Sequence, residues 1–336
     1  LFYSFFMDFK WPVIGHKKII DYLQNIILQN RVNHGYLFYG QSGLGKCMVA
    51  EYFARSLFCL SDNIRPCGAC SHCVQLEKGI HADVIYLRRD EEKKNIAIEQ
   101  VREAREKLQR GSFLNSYKMV IVEDLNAFSS SACSAILKIL EEPAGKTVFL
   151  FIAKNLANIP KTIISRVHAI EFLPVAVSEI EKYLIGAGET KEQAYELSRL
   201  SAGFPSKIIN FARHKQALVD KKEKIRQIIS DLLGDLNDRF DLVERLAGQN
   251  KSERARIDAD NFLDDLLILV RDCFLLKNMC ADKIANVWLG DVLVDICGKY
   301  DNIRLVAILE KIKKTQEDIA KNVNLKLALE NLMFEF

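Results

Sequence analysis

An α/β domain with a parallel sheet, followed by an all-helical remainder, is the fold that three features of the sequence predict. Between Tyr36 and about Phe172, short apolar runs alternate with helical patterns, the rhythm of buried strands covered by helices. A glycine-rich segment, Gly40-Gln41-Ser42-Gly43-Leu44-Gly45-Lys46, stands directly after one such run and before a helical pattern. Beyond Pro174 the strand signal stops.

The predicted strands are Tyr36-Leu37-Phe38-Tyr39, Val84-Ile85-Tyr86-Leu87, Met119-Val120-Ile121-Val122 and Thr147-Val148-Phe149-Leu150-Phe151-Ile152, each followed by polar or loop-forming residues. Three short helices follow, Ser178 to Gly186, Thr190 to Ser201 and Pro205 to Phe211, broken at Gly186-Ala187-Gly188 and Ala202-Gly203-Phe204-Pro205. From about His214 onward the pattern is helical throughout. Its strongest element, Arg254 to Cys280, carries Phe262, Leu263, Leu266, Leu267, Leu269 and Val270 as an apolar stripe. The expected domains are 1–172, 173–213 and 214–336, the first with a cysteine module at about 59–73.

A chain of 336 residues is long for one core, and 49% hydrophobic with 27% charged residues is a globular composition rather than a disordered one. The net charge of +3 permits a nucleic-acid partner without indicating one. Arg102, Arg105, Lys107 and Arg110 form a basic helical stretch, but Glu103 and Glu106 interleave, so a solvated face competes with a DNA-facing one. No apolar run approaches the roughly eighteen residues of a membrane span, and Leu1-Phe2-Tyr3-Ser4-Phe5-Phe6 is too short for a signal peptide. The sequence opens on Leu1, which points to a literally translated alternative start codon with Met7 as a candidate start; a cytoplasmic protein is expected.

The glycine-rich segment matches the phosphate-binding loop in its full context. Gly40, Gly43 and Gly45 let backbone N–H groups curl around phosphate oxygens, the following helix adds positive potential, and Lys46 neutralises phosphate charge. The next position ordinarily supplies a hydroxyl to magnesium. Here it is Cys47, whose sulfur is a poor ligand for that hard cation. Lys118 to Val122 ends in Glu123-Asp124, where such domains place the acids of the metal shell and the attacking water. Their order is the reverse of the usual Asp-Glu, and two solvated acids at a strand end are the plain alternative. The expectation is a loop able to take ATP or ADP, with poor magnesium binding and weak hydrolysis.

Nine cysteines, an odd number, argue against a disulfide framework, and four of them cluster. Cys59, Cys67, Cys70 and Cys73 fit a tetrahedral zinc ion, with Gly68 and Ser71 allowing the turns between them. His72 is a spare candidate ligand. Four thiolates fill the shell, so the site is read as structural; an iron–sulfur cluster and redox thiols remain as alternatives.

Phosphate loop, cysteine module and acid-ended strand in this order resemble the AAA+ clamp-loader family of bacterial DNA polymerase III, the δ′ and γ/τ subunits. Further likeness lies in Trp11-Pro12-Val13-Ile14-Gly15-His16, similar to the family's segment near the adenine, and in His34-Gly35-Tyr36-Leu37-Phe38, similar to its lead-in to the loop. Ala135-Ile136-Leu137-Lys138-Ile139-Leu140-Glu141-Glu142-Pro143 resembles a characteristic family helix, and Thr162-Ile163-Ile164-Ser165-Arg166-Val167 its Ser-Arg-Cys motif with Val167 in place of Cys. Asn322-Val323-Asn324-Leu325-Lys326-Leu327-Ala328-Leu329-Glu330 looks like a δ′ ending.

The resemblance implies an AAA+ core, a helical lid and a helical collar, assembled with γ/τ and δ subunits in a hetero-pentamer that loads a sliding clamp onto primed DNA. It makes Arg166 an arginine finger for a neighbour's ATP site, against the plain reading of a surface ion pair. At the family's sensor positions this chain offers only Lys154 or Asn155, in Ala153-Lys154-Asn155, and Lys207 after Gly203-Phe204-Pro205-Ser206. With Cys47 and the reversed acids, these departures imply a δ′-like stator; the alternative is a working γ/τ-like ATPase.

Overall fold

The computed structural model describes residues 7–89, 96–110, 117–157, 159–213, 215–248, 253–321 and 323–336. The apolar opening Leu1 to Phe6, His214 and Asn322 lie outside these residues.

The first part runs β1 (Asp8–Phe9), α1 (Lys17–Leu28), β2 (Gly35–Tyr39), α2 (Lys46–Phe58), β3 (Ile64–Arg65), α3 (Ser71–Glu77), β4 (Val84–Leu87), α4 (Ile98–Gln109), β5 (Lys118–Val122), α5 (Ser130–Glu141), β6 (Thr147–Ala153), α6 (Lys161–Ile164) and β7 (His168–Glu171). Five strands form one parallel sheet in the order β4-β5-β6-β2-β7. The strand that leads into the glycine loop therefore lies inside the sheet, between β6 and β7. A separate parallel pair joins β1 to β3.

Side chains alternate across this sheet because successive strand residues point to opposite faces. Tyr36, Phe38, Met119, Ile121, Val148, Leu150 and Ile152 pack on one face with Leu23 of α1 and Val49 and Phe53 of α2. Leu37, Val120, Val122, Phe149 and Phe151 pack on the other with Val101 of α4 and Ile136 of α5. Both faces are dry, which is why these strands read as unbroken apolar runs. β7 escaped that signal: at the sheet edge only Ile170 of His168-Ala169-Ile170-Glu171 is buried. Lys118, buried at the start of β5, donates its ammonium to the carbonyls of Lys107 (2.7 Å) and Arg110 (2.5 Å), closing the end of α4.

The chain divides into two compact units, Leu1–Ile180 with Phe204–Ser206, and Glu181–Gly203 with Lys207–Phe336. The rest of the chain supplies α7 (Val177–Gly186), α8 (Lys191–Leu200), α9 (Pro205–Arg213), α10 (Lys215–Leu233), α11 (Leu236–Ala247), α12 (Glu253–Lys277), α13 (Asp291–Lys299), α14 (Asn302–Ala320) and α15 (Leu325–Met333). Phe262, Leu263, Leu266, Leu269 and Val270 of α12 are buried in the second unit's core with Leu305, Ile308 and Ile312 of α14 and Leu329 and Leu332 of α15; Leu267 is only partly buried there. α12 stops at Lys277 rather than Cys280. Met279 takes a left-handed φ of 57°, and the Asn278 side chain donates to the Phe274 carbonyl at 2.7 Å, closing the last turn.

Candidate functional site

At the C-terminal end of β2 the chain turns through Gly40, Gly43 and Gly45 with φ of 140°, 86° and 90°. A Cβ on Gly40 would lie 2.3 Å from the Phe172 carbonyl oxygen, and one on Gly43 2.5 Å from Ser206 Oγ. Gly45 faces open space and caps α2, so its need for glycine is conformational. Lys46 begins α2 almost wholly buried, its Nζ donating to the carbonyls of Gly40 (2.5 Å) and Gln41 (2.6 Å). Burial, with a smaller push from Lys154, lowers its proton affinity, while Cys47 and Asp124 act the other way. His16, at a left-handed φ of 55°, stacks near Phe172 and holds the loop from outside through an Nε2 contact of 2.8 Å to the Leu44 carbonyl. Trp11 Nε1 donates to Ser56 Oγ at 2.8 Å, fastening the preceding segment to α2.

The two acids at the end of β5 are both engaged. Arg88 Nε donates to Glu123 Oε1 at 2.6 Å, with the guanidinium 4.5 Å over the Tyr86 ring. Asp124 accepts the Asn126 backbone N–H at 3.1 Å, capping a short turn. Asn126 in turn accepts the Lys154 N–H (2.7 Å) and donates to the Asn155 carbonyl (3.1 Å), tying the ends of β5 and β6 together. Magnesium needs several hard oxygens free to converge. A thiol at position 47, a carboxylate paired with arginine and another used as a cap do not fit it. Arg88 and Asn126 were missed in the sequence: Arg88 meets Glu123 only through the pairing of adjacent strands, whereas the Asp-x-Asn spacing carried a local capping signal.

Arg166 lies just before β7, at the opposite end of the sheet from the loop. Its Nη2 is 2.8 Å from Glu141 Oε1, and Nη1 donates to the Thr162 carbonyl (3.0 Å) and Ser165 Oγ (3.3 Å). Val167 packs on the first residue of β2, its Cγ1 2.9 Å from where a Gly35 Cβ would be. Lys207 is half-buried in the second unit near Lys221, Asp265 and Asp264; partial burial lowers its proton affinity. Arg102, Arg105, Lys107 and Arg110 are exposed with Glu103 and Glu106, while Val101, Ala104 and Leu108 face the core.

The cysteine module hangs between α2 and α3. Cys59 ends α2, Gly68 turns the chain at φ 73°, and Cys70 caps α3 with Cys73 in its first turn. The four Sγ atoms lie within 4.8 Å of one another, with Cys67 and Cys73 4.0 Å apart. Zinc–sulfur bonds of about 2.3 Å in a tetrahedron place sulfurs roughly 3.8 Å apart, so this donor set fits a four-coordinate metal ion. Backbone N–H groups of Ser61 (3.5 Å) and Cys67 (3.4 Å) point at Cys59 Sγ, and that of Cys70 at Cys67 Sγ (3.3 Å). The N–H groups of Cys70 and Ala69 bring Cys67 down to about 6, whereas burial pushes Cys73 up to about 12. His72 turns away from the sulfurs, its Nδ1 2.7 Å from Nε2 of buried His81, which accepts the Asp83 N–H on its other nitrogen.

A glycine loop with a lysine opening the next helix, on an interior parallel strand and followed by a four-thiolate insert, defines a P-loop domain of AAA+-like fold. A family model described as "DNA polymerase III, delta subunit" matches residues 15–176. The gamma subunit of DNA polymerase III from Buchnera aphidicola subsp. Baizongia pistaciae is 25% identical over 93% of this chain and 80% of its own length. The delta' subunit of Pseudomonas aeruginosa is 34% identical over 60% of this chain and 61% of its own, and that of Bacillus subtilis 29% identical over 55% of each. The chain thus spans less than two thirds of either delta' relative. The chain is similar to DNA polymerase III clamp-loader subunits, with relatives of both gamma and delta' type.

Proposed function

We propose that the chain is a δ′-like stator subunit of a bacterial DNA polymerase III clamp loader. In this reading it joins γ/τ and δ subunits in a hetero-pentamer through its C-terminal helices, and helps that assembly place the sliding clamp on primed DNA. Residues 1–172, 173–213 and 214–336 serve as core, lid and collar, and the four cysteines hold structural zinc.

The observation that carries the proposal is the separation of Arg166 from this chain's own loop. Arg166 lies beside Gly35, where β2 begins; Gly40 to Lys46 follow where β2 ends. Five strand residues span about 16 Å, so the guanidinium points to chemistry outside its own nucleotide loop. A planar, permanently charged fork suits a developing phosphoryl charge on a neighbouring subunit. At home, the engaged acids and Cys47 support weak hydrolysis or none.

The retained Lys46 and loop glycines favour the second reading, a working γ/τ-like ATPase. Phosphate release by the purified chain, alone and in the reconstituted loader, separates the two. Strong turnover by the isolated chain, abolished by Lys46→Ala, contradicts the stator. Loader turnover that is unchanged by Arg166→Ala removes the finger.

A further inference from the structure

The loop keeps its lysine and glycines although the groups expected to hold magnesium beside it are unsuited or engaged. Cys47 offers sulfur, Glu123 is bound by Arg88, and Asp124 caps the turn at Asn126. A bound polyphosphate would still bring three or four negative charges to the start of α2. Helix dipole and loop N–H groups offset only part of such a charge, so a second fixed cation besides Lys46 is required if no metal ion supplies it.

Lys154 meets that requirement. It stands exposed at the end of β6 and, with Gly40, Gln41 and Leu44, lines an open cleft of about 380 Å³ against the loop. Its backbone is fixed by Asn126, which accepts the Lys154 N–H and binds the next carbonyl. Among the described residues no carboxylate forms an ion pair with its ammonium. Glu171 lines the same cleft beside Tyr39 and forms no ion pair with Lys154 among the described residues. The two lysines feel each other: Lys154 disfavours the proton on Lys46, as paired cations without an anion between them must.

We propose that the loop binds a nucleoside di- or triphosphate without magnesium, with Lys46 and Lys154 together taking the ion's electrostatic place. This rests on the reading of Gly40 to Lys46 as a nucleotide loop. Lys154 acts here as a ligand-binding residue; nothing in the proposal requires hydrolysis.

The test is calorimetric titration of the full chain with ATP, and separately with tripolyphosphate, in EDTA and in excess magnesium chloride. The dissociation constants in the two media are expected to agree within about threefold. Lys154→Ala is expected to weaken binding in EDTA by about tenfold or more, and Lys154→Arg to retain it. Because Lys154 is exposed, both variants should keep the parent's melting temperature. Tightening by magnesium beyond about threefold overturns the proposal, as does unchanged binding by Lys154→Ala. Absence of ATP binding in both media is a different failure, since it removes the nucleotide-loop reading on which the proposal stands.

Discussion

Glu141 at the end of α5 grips Arg166, Oε1 to Nη2 at 2.8 Å, so the guanidinium already has a carboxylate partner within its own chain. Both side chains are substantially exposed, 39% for Arg166 and 50% for Glu141. Exposed pairs are worth about 0–1 kcal/mol, so this contact orients the arginine without locking it. In a loader, a neighbour's nucleotide can compete for the fork.

Arg166→Ala is accordingly expected to leave the melting temperature nearly unchanged while lowering ATP turnover of the reconstituted loader by about 10³-fold, the low end for arginine fingers. Glu141→Gln removes the competing carboxylate and should leave that turnover intact or raise it. A loss of turnover with Glu141→Gln equal to that of Arg166→Ala would mean that the pair itself, and not the free fork, is what the assembly needs.

Cys47 is the most visible departure in the loop, yet repairing it alone is expected to restore little. The Arg88–Glu123 pair is as exposed as Arg166–Glu141. A metal ion nevertheless has to displace both that guanidinium and the Asn126 cap on Asp124 before the two acids converge beside a serine hydroxyl at position 47. Phosphate release by Cys47→Ser should rise less than tenfold, which corresponds to under about 1.4 kcal/mol of barrier. A larger rise, measured under magnesium with the chain alone, shows that these acids rearrange freely and that the thiol was the main obstacle.

The contrast between Cys47 and Arg88 explains how much could be read in the sequence. Local patterns carried the fold: β2, β5 and β6 are unbroken apolar runs because both sheet faces are covered, and the loop is contiguous with strand and helix. The cysteine cluster was equally legible, since three of its sulfurs come from a seven-residue stretch. What a sequence of one chain conceals is the partner across the sheet. Arg88 reaches Glu123 because β4 lies beside β5, and Lys118 at the start of β5 closes the end of α4. β7 stayed hidden for a related reason: an edge strand buries one residue and so carries little pattern.

His16 gives the phosphate loop a pH dependence whose sign can be worked out. Burial is the main cause that lowers its proton affinity in the fold, while its ordinary value of 6.5 describes the unfolded chain. The unfolded state therefore takes up the extra proton first as pH falls. Stability is fully present above pH 6.5 and declines below it, until the folded histidine also titrates. The melting temperature at about pH 5.5 should lie below that at about pH 7.5, and His16→Gln should flatten part of the slope. Equal slopes for parent and variant would show that the imidazole at the Leu44 carbonyl does not titrate differently in the two states.

The cysteine centre makes a demand that buried thiols alone do not. Cys59 and Cys73 are buried, Cys67 accepts from the Cys70 N–H, and four sulfurs lie within 4.8 Å of one another, where their thiolate charges would repel without a cation between them. A metal ion bound by thiolates supplies that positive charge and releases protons as it binds. Elemental analysis of the purified chain is expected to give one zinc per chain. Cys73→Ser should lower both zinc content and melting temperature, because one ligand of a closed tetrahedral shell is lost and a buried hydroxyl replaces it. His72→Ala tests the same geometry from the other side. Since His72 faces His81 rather than the sulfurs, its loss should leave the zinc content at one while reducing stability through the broken buried contact. Loss of zinc in His72→Ala, with all four cysteines intact, would instead make the histidine pair a required support of the metal site.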